Sequence, residues 1–100
     1  MATLLIEHPI SDLATWLAAF GQFEDARRNA GVTAQRICCP VDDDRYIVVE
    51  LDFETVEGAT GFMEFLEQVV WQSTDLSPAL AGTPAARILT EVKPAEAFDA

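Results

Sequence analysis

The first candidates for acid–base chemistry in this sequence are its single histidine, His8, and its single tyrosine, Tyr46. Imidazole is the side chain whose ordinary pKa lies closest to neutral pH, so His8 can exchange a proton under cellular conditions. Glu50 follows Tyr46 by four residues in an alternating segment, which puts both side chains on one face of a strand. A His–Tyr–Glu set in one pocket could move protons to or from a phenol or an enolizable carbonyl compound. We therefore predict that His8, Tyr46 and Glu50 are catalytic residues.

Structural interpretations of the same residues remain open. His8 could fix the corner between a strand and a helix by hydrogen bonds, with Asp12 as one partner. Glu50 could lie at the open edge of the sheet, or pair with Arg36 across a hairpin. The sequence does not separate these interpretations from the catalytic one.

Two aromatic residues at helical spacing, Trp16 and Phe20, are predicted to line a ligand pocket. Trp71, on the second predicted helix, could wall the same pocket. Aromatic side chains at such a spacing also serve as ordinary core residues, and that alternative stays open.

The sequence has no motif that predicts a metal or cofactor, and we expect neither. The acidic run Asp42–Asp44 lacks the spacing of an EF-hand and is typical of a solvated turn. Cys38 and Cys39 are adjacent, which is not the spacing of a zinc or redox motif. A reactive thiolate there would depend on the charge of Arg36. No GxGxxG, P-loop, HExxH or GxSxG motif is present.

Composition excludes several classes of partner. The chain of 100 residues is half hydrophobic and carries a formal net charge of −11. Such an acidic domain lacks the clustered Lys and Arg that bind nucleic acids or anionic membranes. The first ten residues contain no Lys or Arg and no long apolar run, so we expect no signal peptide. With two cysteines interpreted as free thiols, a cytoplasmic location is predicted.

Hydrophobic periodicity predicts six elements in the order strand, helix, strand, strand, helix, strand. Strands are predicted over 3–8, 32–39, 46–53 and 86–92, and helices over 11–31 and 55–72. Ser11 is the expected N-cap of the first helix and Gly31 its C-terminal cap. Thr55 is expected to cap the second helix.

This order predicts an α+β fold of the ferredoxin-like βαββαβ type, with both helices on one face of a four-stranded antiparallel sheet. Residues 1–93 would form the single domain and residues 94–100 a flexible tail. The other face of the sheet would be mostly polar if it met only water, but Leu5, Tyr46 and Val48 are expected there. A second copy related by a two-fold axis would cover it, so we expect a homodimer through the sheet face.

Several stretches resemble small bacterial proteins of the dimeric α+β-barrel superfamily, which is related to antibiotic-biosynthesis-type monooxygenases. The stretches are His8-Pro9-Ile10-x-Asp12-x-x-x-Trp16-x-x-x-Phe20 with Arg27, Arg28 and Gly31, then Pro40–Arg45 running into Tyr46–Val49, Asp52–Thr55 leading to Phe62, and Ser77–Gly82. The resemblance covers residues 3–92.

This resemblance implies a homodimer with a pocket between the sheet and the helices of each protomer. Members of the superfamily include cofactor-free quinol monooxygenases, haem-degrading monooxygenases, polyketide cyclases and muconolactone isomerases. The haem-degrading members use an Asn, a His and a Trp at set positions. Here no histidine follows Trp71, so the resemblance does not extend to haem degradation.

Together, these patterns predict a homodimeric protein that binds a small apolar or aromatic compound. Its reaction would be a cofactor-independent oxygenation, isomerisation or cyclisation. The alternative is a non-enzymatic ligand-sensing or protein-pairing module that uses the sheet face. A closed pocket lined by His8 and a carboxylate would favour the first, and a sheet face filled by a partner's side chains the second.

Overall fold

The computed structural model describes residues 1–92. Its strands are β1 (Ala2–Pro9), β2 (Val32–Cys38), β3 (Tyr46–Phe53) and β4 (Ala85–Thr90), and its helices are α1 (Leu13–Gln22), α2 (Glu24–Ala30) and α3 (Val56–Phe65), the last continued by a π-helical turn over Leu66–Val70. The sheet order is β2-β3-β1-β4 and all three pairings are antiparallel. The predicted ferredoxin-like α+β fold is confirmed. The predicted domain end at residue 93 and the tail over 94–100 lie outside the described residues.

The first predicted helix is two helices. The backbone leaves the helical region at Phe23 (φ −100°, ψ 16°), which ends α1 and starts α2. Asp12, and not Ser11, caps α1, because its carboxylate accepts a hydrogen bond from the Thr15 amide at 2.9 Å. This hydrogen bond and one from the Thr15 hydroxyl lower the pKa of Asp12.

The other two predicted caps are present. Gly31 ends α2 with φ 100°, a left-handed conformation that costs glycine little because it has no Cβ. Thr55 caps α3 and accepts a hydrogen bond from the Gly58 amide at 3.0 Å. Gly31 therefore ends α2, and Thr55 begins α3, at the positions that their chemistry predicts.

Alternation along β1 and β3 builds the core. One face of the sheet is covered by the helices, and its β1 and β3 side chains are buried. These side chains belong to Ala2, Leu4, Ile6, His8, Ile47, Val49, Leu51 and Phe53. Seven are apolar, and each large one stabilises the fold by roughly 1.5–3 kcal/mol when it leaves water. His8 is the single polar exception on this face of the two central strands.

The opposite side of the sheet, here called the open face, is mixed in character. In β1 and β3 it presents apolar side chains such as Leu5 and Val48, which are half-buried, between polar ones. The polar side chains bind one another: Thr3 donates to Asp52 at 2.7 Å, and Arg36 donates from Nε to Glu50 at 2.7 Å. The open face is thus an apolar strip between paired polar groups.

Within residues 1–92, no helix combines the length and the apolar character that crossing a membrane would require.

Candidate functional site

A cavity of about 70 Å³ lies between the helix-covered face of the sheet and the helices. Its floor is formed by side chains of β1 and β3, and these are Ile6, His8, Val49 and Leu51. All four project from the same face because they share the two-residue period of their strands.

Helix α1 and the segment after α3 supply an aromatic wall. Trp16 stacks on Phe20 with ring centroids 4.8 Å apart, and Trp16 lies 6.4 Å from the His8 ring. Trp71 borders the cavity from the other side of the helical layer. The predicted lining residues Trp16 and Phe20 therefore meet His8 at one cavity, an arrangement suited to an apolar, planar compound.

The π-helical turn is a feature that periodicity did not reveal. The Trp71 amide donates to the Leu66 carbonyl at 2.8 Å, five residues earlier, and so widens the last turn before Trp71. The Ser77 hydroxyl, which also borders the cavity, reaches the Val70 carbonyl at 2.9 Å and so holds the next segment against this turn. Leu66, Val70 and Trp71 all border the cavity as a result.

One ring nitrogen of His8, Nδ1, is fixed by a hydrogen bond to the backbone. Nδ1 lies 3.0 Å from the Pro9 carbonyl, and a carbonyl can only accept, so Nδ1 carries a proton. Within residues 1–92 no group hydrogen-bonds to Nε2, and the His8 side chain borders the cavity. Burial lowers the pKa of His8, against the smaller opposing effect of the Pro9 hydrogen bond. In the neutral ring, Nε2 therefore carries the lone pair and has no partner in the described residues.

Arg27 is a second polar residue at the cavity, and sequence analysis did not select it. Its side chain is buried, with 5 % of its surface exposed. Nε donates to Gln35 Oε1 at 3.0 Å, Nη1 donates to the Phe20 carbonyl at 2.6 Å, and the guanidinium carbon lies 3.6 Å over the Phe20 ring. Burial lowers the pKa of Arg27, while the charge of Glu24 opposes that shift.

The spacing of Arg27 was a signal that could have revealed it. Counting from Trp16, the cavity residues Phe20, Phe23 and Arg27 follow at intervals of four, three and four, which is one helical stripe. Arg28 lies one position off that stripe and is 68 % exposed. A charged residue in phase with an apolar stripe indicates either a structural hydrogen-bonding role or a binding site, and the position of Arg27 is compatible with both.

The expected grouping of His8 with Tyr46 and Glu50 in one pocket is wrong. In the register between β1 and β3, His8 is opposite Ile47, while Tyr46 is opposite Pro9. Adjacent residues of a strand project to opposite faces, so Tyr46 and Glu50 lie on the open face. The sheet itself separates them from the cavity.

Both open-face residues have partners there. The Tyr46 hydroxyl donates to Glu7 Oε1 at 2.7 Å, and this hydrogen bond raises the pKa of Tyr46. Glu50 pairs with Arg36 across the hairpin, as the structural interpretation predicted, and this contact raises the pKa of Arg36. His8 does not contact Asp12, whose carboxylate binds Thr15 instead.

Two further candidates lie away from the cavity. Cys38 and Cys39 are free and exposed, and Asp42–Asp44 is an exposed turn. In the part of the chain that the structure describes, no three His, Cys, Asp or Glu side chains are grouped as metal ligands would be.

We expect His8 to make stability depend on pH. In the unfolded chain its pKa is near 6.5, and burial lowers the pKa in the folded chain, so between these two values the unfolded state binds more protons. Stability should therefore fall as the pH drops below about 6.5 and level off below the folded pKa, with a slope of at most about 1.4 kcal/mol per pH unit. Urea unfolding between about pH 7.5 and pH 5 measures this.

His8→Asn is the control for this prediction, because it removes the titrating group and keeps a donor near the position of Nδ1. The chain has no other histidine, so the slope above about pH 5 should disappear in this variant. An unchanged slope in His8→Asn would show that burial of His8 is not its source.

The cavity and the fold together define a class: a ferredoxin-like α+β protein with a small, mostly apolar cavity between sheet and helices. Solved structures share this fold. SnoaB, a cofactor-independent oxygenase from Streptomyces nogalater, superposes with a TM-score of 0.70 at 14 % identity, over 94 % of this chain and 95 % of that one. A dimeric ferredoxin-like protein from an uncultured marine organism gives 0.66 at 13 % identity, over 94 % and 97 %.

A third structure is a monooxygenase from the gene ActVA-Orf6 of Streptomyces coelicolor, in complex with nanaomycin D. Its TM-score is 0.63 at 15 % identity, over 93 % of this chain and 88 % of that one. No family model matches the sequence, and no curated protein does. The structural likeness supports the resemblance to the dimeric α+β-barrel superfamily at the level of the fold.

Proposed function

We propose that this chain is a homodimeric protein that binds a small apolar or aromatic compound in the cavity between its sheet and its helices. The observation that carries this proposal is the cavity itself: Trp16 and Phe20 form a stacked wall beside His8, whose Nε2 has no hydrogen-bond partner in the described residues. An apolar cavity with a few convergent polar groups is the usual form of a small-molecule site.

The proposed chemistry is proton transfer by His8 without a cofactor. A neutral imidazole whose Nδ1–H is fixed by the Pro9 carbonyl can accept a proton at Nε2 from a phenol or from a carbon beside a carbonyl. The resulting anion could then react with dissolved dioxygen, which would be the oxidant in an oxygenation, or it could be isomerised or cyclised without a change in oxidation state. Two structures with this fold are described as a cofactor-independent oxygenase and a monooxygenase, which supports this choice of reactions.

Tyr46 and Glu50 have a different place in this proposal. They lie on the open face, beyond the sheet from the cavity, so any part in catalysis would require a site between subunits. If turnover is found, His8→Ala is expected to reduce it strongly, because removing a general base typically costs 10²–10⁴-fold. Tyr46→Phe and Glu50→Gln are expected to leave it intact. Turnover unaffected by all three changes would show that the residues predicted as catalytic have no such role.

Ligand binding can be measured with reporters that the chain already contains. Trp16 and Trp71 are its two tryptophans, and both border the cavity. A one-ring aromatic compound that enters should therefore change tryptophan fluorescence in a saturable way, and the change should shrink in Trp16→Phe and again in Trp71→Phe. Fluorescence that is unaffected by a panel of such compounds, including benzene derivatives with neutral and acidic groups, would contradict the proposal.

The homodimer would form through the open face. Leu5 and Val48 lie there half-buried, and Leu89 of the edge strand is 38 % exposed. A structure with the same fold is described as a dimeric ferredoxin-like protein, which supports this assembly. The cavity opens on the opposite side of the sheet, so pairing of open faces would leave both cavities accessible. The exposed free thiols of Cys38 and Cys39 suit the proposed cytoplasmic location.

One observation favours the alternative of a non-enzymatic ligand sensor. No Asp or Glu of residues 1–92 lines the cavity, so His8 there lacks the carboxylate partner that often orients a catalytic imidazole. Saturable binding without any consumption of the bound compound, under air and over a range of pH, would select the sensor.

A further inference from the structure

Arg27 is a buried cation that forms no ion pair in the part of the chain that the structure describes, although the charge of Glu24 acts on it from a greater distance. Within residues 1–92 no carboxylate lies within ion-pair distance of it, although the protein as a whole has a net charge of −11. The other arginines in ion pairs are exposed: Arg28 binds Asp25 and Glu24, and Arg36 binds Glu50. Arg27 thus differs from these two arginines, because it is buried and forms no ion pair among the described residues.

Two hydrogen bonds account for only part of the Arg27 guanidinium. Nε is taken by Gln35 and one N–H of Nη1 by the Phe20 carbonyl, whereas Nη2 donates to no group in the described residues. Arg27 borders the cavity and also a second pocket that Glu24, Arg28 and Gln35 line, and Nη2 is the guanidinium nitrogen left for a ligand. The side chain therefore ties α2 to α1 and β2 and still presents free donors.

A charge in this position has an energetic consequence. Taking a cation out of water is unfavourable unless an anion or further hydrogen bonds compensate. Stacking on Phe20 offsets part of that cost. An anionic oxygen placed at Nη2 would supply the missing charge by a charge-assisted hydrogen bond, which is about twice as strong as a neutral one.

We propose that the compound bound in this cavity is a small carboxylic acid, held as its carboxylate by Arg27, with its apolar part against Trp16 and Phe20. This inference rests on the proposed function and narrows its ligand. The carboxylate would contact Nη2, and the aromatic wall that joins Arg27 to His8 through Phe20 and Trp16 would place the rest of the molecule beside Nε2 of His8.

Charge and size both favour a small carboxylate. A carboxylic acid is ionised at neutral pH, whereas a phenol with a pKa near 10 is not and would leave the cation uncompensated. A phosphate would bring more charge than one arginine balances, among walls that are otherwise almost entirely apolar. The cavity measures about 70 Å³. A space of about 150 Å³ holds a benzene ring, so one ring would enter only as side chains at the mouth move.

The mouth has a side chain that can move. Leu76 borders the cavity and is 37 % exposed, so it can rotate into solvent and enlarge the space. A single ring with a carboxylate is therefore the largest ligand that we expect without movement of the backbone.

Benzoate and benzamide test the inference, because they have nearly the same shape and differ in charge. Their affinities are measured by calorimetry on the wild-type protein, Arg27→Met and Arg28→Met. We expect the wild type and Arg28→Met to bind benzoate at least tenfold more tightly than benzamide. Arg27→Met should lose this preference and still bind benzamide. Arg27→Lys, which keeps the charge, should recover part of it.

The outcomes separate the inference from the proposed function. Equal affinity of the wild type for the two probes would overturn the carboxylate inference and leave the apolar pocket standing. Failure of both probes to bind at millimolar concentration would contradict the pocket, and the inference with it. If Arg27→Met does not fold, the affinities of the wild type and of Arg27→Lys for benzoate and benzamide still test the inference. If Arg27 has only a structural role, neither protein should prefer benzoate.

Discussion

Leu4→Ala is expected to remove about 3–5 kcal/mol from the free energy of unfolding. Leu4 is fully buried on β1, which lies between β3 and β4 in the sheet. Truncation to alanine leaves a cavity there, because the neighbouring side chains are already closely packed. A domain of this size has a total stability of about 5–15 kcal/mol, so this one change could consume most of it. Urea denaturation followed by circular dichroism measures the loss.

Leu17→Ala is the matched control, because it makes the same substitution on an α1 side chain that is 44 % exposed. Its expected cost is below about 1 kcal/mol, as for most substitutions outside the core. Similar losses in the two variants would mean that the helix-covered face of β1 is not the core of the protein.

Val48→Lys is expected to convert the proposed dimer into monomers. Val48 lies on the open face of the central strand β3, and the two-fold axis of a homodimer would place the new charge in the interface twice. Burying an unpaired ammonium costs several kcal/mol, so dimer affinity should fall by on the order of a hundredfold or more. The fold should persist, because Val48 points away from the core. Sedimentation equilibrium at several concentrations measures both oligomeric states.

Val41→Lys is the control for the change in charge. Val41 is fully exposed in the turn between β2 and β3, so the same substitution there should leave the dimer intact. A wild-type protein that is monomeric at micromolar concentration would rule out the proposed assembly.

Local rules predicted most of the fold because several signals agreed. In β3 the alternation from Tyr46 to Phe53 set both its bounds and its two faces. Gly31 and Thr55 marked helix ends by their backbone and side-chain chemistry. The sequence did not predict the break at Phe23, because an apolar residue in phase with its neighbours gives no sign that a helix ends there. It did not predict the π-helical turn either, because that turn depends on the packing of Val70 and Trp71, which is a tertiary effect.

The candidate site was predicted only in part. Trp16, Phe20 and His8 do meet at one cavity, and helical spacing and strand position were sufficient to suggest it. Tyr46 and Glu50 were grouped with His8 by their chemistry, but the face on which each side chain lies follows from its position in the two-residue period of its strand. His8 is an even number of residues from Leu4 and Ile6, so it lies with them on the helix-covered face. Arg27 was not among the predicted site residues, although its spacing from Trp16 and Phe20 puts it on the same helical stripe.

The central claim is that a small molecule occupies the space between the sheet and the helices of each protomer. A crystal structure of the protein grown with benzoate tests it most directly. The account predicts a ring beside Trp16 and Phe20 in every protomer, with the carboxylate at Nη2 of Arg27 and the ring within reach of Nε2 of His8. Density for the compound on the open face alone, with the cavity closed by Leu76 and Trp71, would contradict it.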